Sequence, residues 1–327
     1  MERRDQPGNA DLGSDSQLTA PDLHSDTVAA ANFLGLPHDY CGPDSSVWLL
    51  PVPYEATTTY GKGTRNGPAA VITASGQVEL YDALVDREPA LDYGVRCLAA
   101  LELDELSPDA AVAQISEAVR VLSSSDRLLC VLGGEHGASI GVARGLREVY
   151  GEFVTVQIDA HADLRDSYEG SDLNHACTAR RILELGGSVV QVGVRSLDIT
   201  EAIFLRESPH LIKTFFARDI RQSRDYLIEL GNLLQDKTVY LTIDVDGLDP
   251  SVIPATGTPE PGGLGWYDVI DVITTVASAS HVIAFDCVEL APIAGQHASD
   301  FATAKLVYQT MTLIMSSPSW ARLPGKT

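Results

Sequence analysis

From Ser46 onward, short runs of continuously apolar residues alternate with longer segments of helical period, and this rhythm constrains the fold more than any other feature of the chain. Apolar, β-branched runs bounded by turn residues predict strands at 47–52, 94–101, 127–132, 152–158, 189–194, 211–216, 238–243 and 281–288. Helical spacing and N-terminal signals predict helices at 68–81, 108–122, 175–185, 199–207, 221–234, 266–279 and 300–315, and another from His136 to about Tyr150. Strands that are apolar on both faces belong to a mostly parallel sheet covered by helices on both sides. Neither a linker nor a repeat interrupts the pattern, so the sequence predicts a single doubly wound α/β domain over 31–327. Residues 1–30 are rich in Asp, Ser and Pro, lack the apolar centre of a signal peptide, and read as a disordered tail.

In folds of this class, ligands bind at the carboxyl ends of the strands. Four such ends carry unusual polar residues. Gly133-Gly134-Glu135-His136-Gly137 follows one strand, with glycines that permit a tight turn. Asp159, His161 and Asp163 follow another at alternate positions, where extended backbone turns all three side chains to one face. Asp244 and Asp246 repeat the device 85 residues later, and Glu289 ends the last strand. Each motif alone has a plain reading as a salt-bridge network, a solvated turn or a helix start. Together they place acidic strand ends around one cleft, where they repel unless a cation sits between them.

One tetrahedral zinc takes three or four protein ligands, whereas two imidazoles and four carboxylates better suit two hard or intermediate ions such as manganese. Two ions roughly 3.5–4 Å apart can acidify a shared water at neutral pH, which is machinery for hydrolysis. The charge of the chain fits a cationic substrate. A net charge of −22 and a pI near 4.6 argue against nucleic-acid or anionic-membrane partners, although a generally acidic surface gives the same number. Cys41, Cys97, Cys130, Cys177 and Cys287 are odd in number, scattered and never in a C-x-x-C pair, which fits reduced thiols in the cytoplasm. No apolar run approaches the roughly 20 residues of a membrane span.

The segments 132–137, 158–163 and 243–250 resemble the three signatures of the ureohydrolases, the arginase and agmatinase family, and the family pattern runs from about Phe33 to Met315. The resemblance implies a three-layer α/β/α fold and a binuclear manganese centre, with nickel or cobalt as alternatives, that hydrolyses a guanidinium group to urea and an amine. It implies that His136 and Asp163 bind one ion and His161 and Asp246 the other, with Asp159 and Asp244 bridging. His175 matches the proton shuttle of the family and Glu289 the acid that grips the guanidinium, and a homo-oligomer, trimer or hexamer, is implied as well.

Arginases carry Asn two residues beyond the Asp-x-His-x-Asp stretch, where it helps hold the substrate carboxylate. Here that position is Arg165, and the loop 166–181 looks like agmatinase, so agmatine, yielding putrescine and urea, is the expected substrate. Arg165 or Arg180 could instead pair with a carboxylate, which keeps 4-guanidinobutyrate open beside guanidine and formiminoglutamate. The competing readings are a one-zinc amide deacetylase of similar fold and an inactive homologue. His136 together with both Asp159 and Asp163 argues for two ions, and the intact ligand set argues for activity. The loop 60–68 lacks the Walker spacing, and His24, His38, His210, His281 and His297 lack metal-ligand spacing.

Overall fold

The computed structural model describes residues 32–321, so the predicted tail lies outside the described residues. Eight strands form one sheet in the order β2-β1-β3-β8-β7-β4-β5-β6, and every pair in it is parallel. They are β1 (Val47–Val52), β2 (Val95–Cys97), β3 (Leu128–Gly133), β4 (Val154–Ile158), β5 (Ser188–Val194), β6 (Ile212–Phe216), β7 (Thr238–Asp244) and β8 (His281–Val288). The chain lays down β3 and β4 with two places left between them, builds outward through β6, and then returns to fill the gap with β8 and β7. That late return brings four strand ends from distant parts of the sequence side by side.

Helices cover both faces, as continuous apolarity of the strands requires. One face buries Val71 and Ile72 of the helix Gly67–Ser75, Leu230 and Leu234 of Asp225–Leu234, Ile273 of Trp266–Ala279, and Leu306 and Met311 of Ala298–Met315. The other buries Ala111, Ile115 and Val119 of Pro108–Leu122 against Val142 and Leu146 of Ala138–Tyr150. These two helices approach closely because Gly141 and Gly145 face the partner helix: an added Cβ would meet Ile115 Cβ at 2.7 Å and Ser116 O at 2.4 Å. The result is the single three-layer α/β/α domain expected from the sequence.

Among the boundaries that differ from expectation, the helix expected at 221–234 begins only at Asp225, and three others bear on the site or its support. The helix expected at 68–81 stops at Ser75, whose hydroxyl bonds Ile72 O at 2.7 Å and accepts the Leu34 amide at 2.8 Å, with Gly76 next. The strand expected at 94–101 pairs only over Val95–Cys97, after which Leu98 N reaches Leu49 O and Leu101 N reaches Pro51 O. The side of Pro51 that lacks an N–H therefore faces a strand that has already ended, and proline is tolerated there. His136 does not open a helix; it sits in the turn before Ala138. All five cysteines are buried and free, with Cys130 and Cys287 in the core as expected.

Candidate active site

The four central strands end at one level. Ile158 of β4 pairs with Ile243 of β7, Ile243 with Cys287 of β8, and Cys287 with Leu132 of β3. The next residues along β4 and β7, Asp159 and Asp244, therefore stand side by side, with His136 beyond β3 and Glu289 immediately beyond β8. Gly134 is required where the β3 turn crosses the β1 turn, because a Cβ there would lie 2.0 Å from Tyr54 O. Asp163 and Glu289 both adopt left-handed backbone, with φ of 51° and 65°. Non-glycine residues hold that conformation only where the surroundings impose it, at a cost of order 1–3 kcal/mol each.

All six sequence-predicted ligands converge. His136 Nδ1 lies 3.0 Å from Asp159 Oδ2, 2.9 Å from Asp163 Oδ2 and 3.4 Å from Asp244 Oδ2. His161 Nδ1 lies 2.9 Å from Asp246 Oδ2 and 3.6 Å from Asp159 Oδ1. Asp159 thus turns one oxygen to each histidine, and two groups able to hold a metal, His136-Asp159-Asp244 and Asp159-His161-Asp246, share it. Neighbours fix the carboxylates. Gln157 donates to Asp159 Oδ2 at 2.7 Å, the Asp246 amide donates to Asp244 Oδ1 at 2.8 Å, and the Ala160 amide donates to Asp246 Oδ1 at 3.1 Å.

The donor set fits cations by its own geometry. His136 is buried, its Nε2 lies 3.0 Å from Thr242 Oγ1, and Nδ1, facing three carboxylates, has no hydrogen-bond partner. Burial disfavours charge on the ring, yet Asp159, Asp163 and Asp244 hold it well above the usual imidazole range, and with Nε2–H donating to Thr242 the Nδ1 atom is placed to offer its lone pair to a cation among those oxygens. Ligand atoms about 2.1 Å from one octahedral ion sit about 3 Å apart, close to these separations. The titration of the groups shows the same demand. Burial and the neighbouring Asp159 push Asp163 up to about 7, and burial with Asp246 and Asp159 pushes Asp244 well above the usual carboxylate range. Burial disfavours charge on His161, yet Asp246 and Asp159 outweigh it and hold the imidazole at about 12.

A cavity of about 350 Å³ opens over this cluster, lined among others by Thr58, Tyr60, Gly61, Arg165, Tyr168, His175, Asp198, Glu201, Thr258 and Glu289. His175 and Glu289 thus face the same space as the metal-competent residues. Burial lowers the His175 imidazole to about 4, so the ring is neutral at pH 7. Glu289 Oε1 accepts the His136 amide at 2.6 Å, and burial pushes its carboxyl up to about 8. Arg165 lines the cavity, with its guanidinium 4.6 Å from the Tyr168 ring and Nε 3.9 Å from Glu201. Arg180 is spent elsewhere, stacked 4.1 Å over Phe204 and bonded to Glu184 at 3.3 Å. The loop 60–68 contributes to the cavity through Tyr60 and Gly61, while His281 packs against Trp320 in a structural contact.

Three supporting residues escaped the sequence reading. Arg195 donates to five carbonyls, those of Gly193, Asp246, Gly247, Leu248 and Glu260, and so ties β5 to the turn that carries Asp246. Asp286, inside β8, accepts from Ser139 Oγ at 2.6 Å and from the Tyr240 hydroxyl, next to the Thr242 that meets His136. Thr57 lies past the end of β1 and touches His175. The one available signal was position just beyond a strand, which Arg195 and Thr57 satisfy without a recognisable motif.

A family model described as the arginase family matches residues 45–313, slightly inside the span expected from the motifs. An N(1)-aminopropylagmatine ureohydrolase from Synechocystis sp. is 40% identical over 273 residues, covering 82% of this chain and 89% of that protein. An agmatinase from Pyrococcus horikoshii is 35% identical over 275 residues, covering 81% and 90%. The solved agmatine ureohydrolase of Thermoplasma volcanium has the same fold, with a TM-score of 0.74 at 27% identity over 83% of this chain and 90% of that one. With the fold, the strand-end cluster and these matches together, the chain belongs to the arginase family and is a ureohydrolase.

Proposed function

We propose that this ureohydrolase releases urea from a guanidino amine, agmatine or its N(1)-aminopropyl derivative, with two manganese ions held by His136, Asp159, His161, Asp163, Asp244 and Asp246. The charge of the cavity carries the substrate class. Asp163, Asp244 and Asp246 would be offset by the ions they hold, and beyond them the cavity is lined by three further carboxylates, those of Asp198, Glu201 and Glu289, against one guanidinium among the described lining residues, that of Arg165. A cationic substrate is attracted there, and the names of the relatives at 40% and 35% identity point to the same two amines. The presence of Arg165 favours a guanidino acid as the second reading, since its guanidinium could meet a carboxylate at the mouth.

When bound, the two ions supply an acidified water as nucleophile. The chain supplies the rest. Glu289, with Oε1 fixed by the His136 amide at 2.6 Å, is raised to about 8 by burial, and a guanidinium beside it would draw the carboxyl into its ionised form and be oriented by charge-assisted hydrogen bonds. Water oxygen adds to the guanidinium carbon and the bond from that carbon to the alkyl nitrogen breaks. The departing nitrogen needs a proton, and His175, neutral and facing the cavity, is placed to carry it from the attacking water. The products are urea and a protonated amine. The reading extends to a reducing compartment, the cytoplasm, on the five free cysteines, and to a homo-oligomer on family resemblance.

The test is hydrolysis by the manganese-loaded enzyme, read as urea from agmatine, N(1)-aminopropylagmatine, arginine, 4-guanidinobutyrate and guanidine, and as formamide from formiminoglutamate. One of the two amines is expected to exceed every guanidino acid in kcat/KM by at least about tenfold, or roughly 1.4 kcal/mol. A preference for 4-guanidinobutyrate transfers the assignment to the second reading. A single zinc per chain with no urea from any compound sinks both.

A further inference from the structure

We propose that Glu135 and Thr57 are positioning residues that hold His175 as its Nδ1–H tautomer, leaving Nε2 as the bare, proton-accepting atom toward the cavity. The inference rests on the reading of His175 as the proton carrier and adds what decides which of its nitrogens does the work.

Glu135 is fully buried between the β3 turn and the loop after β1. Its Oε2 accepts the amides of Ala56 and Thr57, both at 2.7 Å, and its Oε1 lies 2.5 Å from the Thr57 hydroxyl. Burial pushes the Glu135 carboxyl up, and the Thr57 hydroxyl with the amides of Thr57 and Ala56 opposes it; held ionised by these donors the group only accepts, so the hydroxyl hydrogen of Thr57 goes to Oε1. Were that hydrogen turned elsewhere, a carboxylate oxygen would face hydroxyl lone pairs at 2.5 Å. The Thr57 oxygen then has only lone pairs to offer. One accepts the His175 backbone amide at 3.1 Å, and the other meets the ring nitrogen Nδ1 at 3.2 Å. Nδ1 must therefore carry the hydrogen. The neutral imidazole has one hydrogen to place, so Nε2 keeps its lone pair.

Gly137 leaves room for this arrangement, since a Cβ there would lie 3.0 Å from Glu135 Oε1. A group that fixes the tautomer of a catalytic imidazole acts on turnover and leaves substrate binding alone.

The experiment compares Glu135→Gln, Thr57→Val, Thr57→Ser and His175→Ala by kcat, KM and metal content, and reads the His175 tautomer from ring nitrogen shifts in protein loaded with diamagnetic zinc. In Glu135→Gln the amide oxygen keeps the two backbone donors, so the amide nitrogen donates to Thr57. The hydroxyl then turns to Nδ1, and the hydrogen moves to Nε2. Expected are a flipped tautomer and a fall in kcat of about 10²-fold or more, with KM and metal content unchanged. Thr57→Val should lose kcat similarly, and Thr57→Ser should restore it to within a few-fold of wild type. A wild-type protein with the hydrogen on Nε2, a Glu135→Gln enzyme with wild-type kcat, or a Thr57→Ser enzyme as slow as Thr57→Val overturns the proposal. Should Glu135→Gln lose its metal, the Thr57 pair decides alone. Full activity in His175→Ala overturns the proton-carrier reading instead, and the nitrogen shifts still report on the relay.

Discussion

Asp159 shows how much chemistry one side chain concentrates here. It is fully buried, accepts from Gln157 and from the His161 amide, and turns one oxygen to each histidine. Replacing it by Asn preserves the shape but removes a charge and puts an N–H where an ion expects an acceptor. Asp159→Asn is expected to lose most of the bound metal, at least one ion per chain by elemental analysis, and to lose activity with it. Retention of two ions with full turnover would refute the bridging role. At this scale the sequence was informative, because alternate acidic and imidazole positions at a strand end have few bland explanations. It was silent about backbone strain: nothing in the residue types announces that Asp163 and Glu289 sit at positive φ. Both residues are held by contacts from elsewhere in the chain, Arg180 N to Asp163 O and Glu289 N to Gly134 O.

Among the elements, strand and helix identity followed from apolar periodicity, and the errors fell at ends. Ser75 stops a helix through a hydroxyl bonded to Leu34, and β2 stops when its partner strand reaches a proline. Both are tertiary contacts, invisible to a local pattern. The turn after β7 depends on such a contact too. Arg195 spans the carbonyls of that turn and of the Pro- and Gly-rich loop beyond it, a geometry that the planar guanidinium can serve and an ammonium cannot. Arg195→Lys is therefore expected to lower unfolding free energy by about 2 kcal/mol in denaturant titration and to weaken metal binding through Asp246. An unchanged denaturation midpoint with unchanged metal affinity would show that the turn holds itself.

For the whole molecule, the site is a concentration of carboxylates at the carboxyl ends of the central strands of a largely apolar sheet. Buried carboxylates without cations are expensive, so the ions that bind the folded chain and not the unfolded one stabilise it by mass action, by about 2.7 kcal/mol at a hundredfold excess over Kd. Exhaustive chelation is expected to lower the thermal midpoint by several degrees, and added manganese to restore it; a midpoint indifferent to chelator would contradict a cation-dependent centre. The sequence by itself determined the fold class, the parallel sheet with helices on both faces, and the set of metal-competent residues. All of that is written in local periodicity and in the chemistry of side chains near strand ends. Only the tertiary structure decided the strand order that sets β3, β8, β7 and β4 side by side, and with it the distances between their ligands. It alone placed Arg165 in the cavity and Arg180 outside it, and brought Thr57 to His175 across 118 positions. The physical reason is that such contacts are fixed by packing between distant segments, and a one-dimensional pattern carries no measure of that distance.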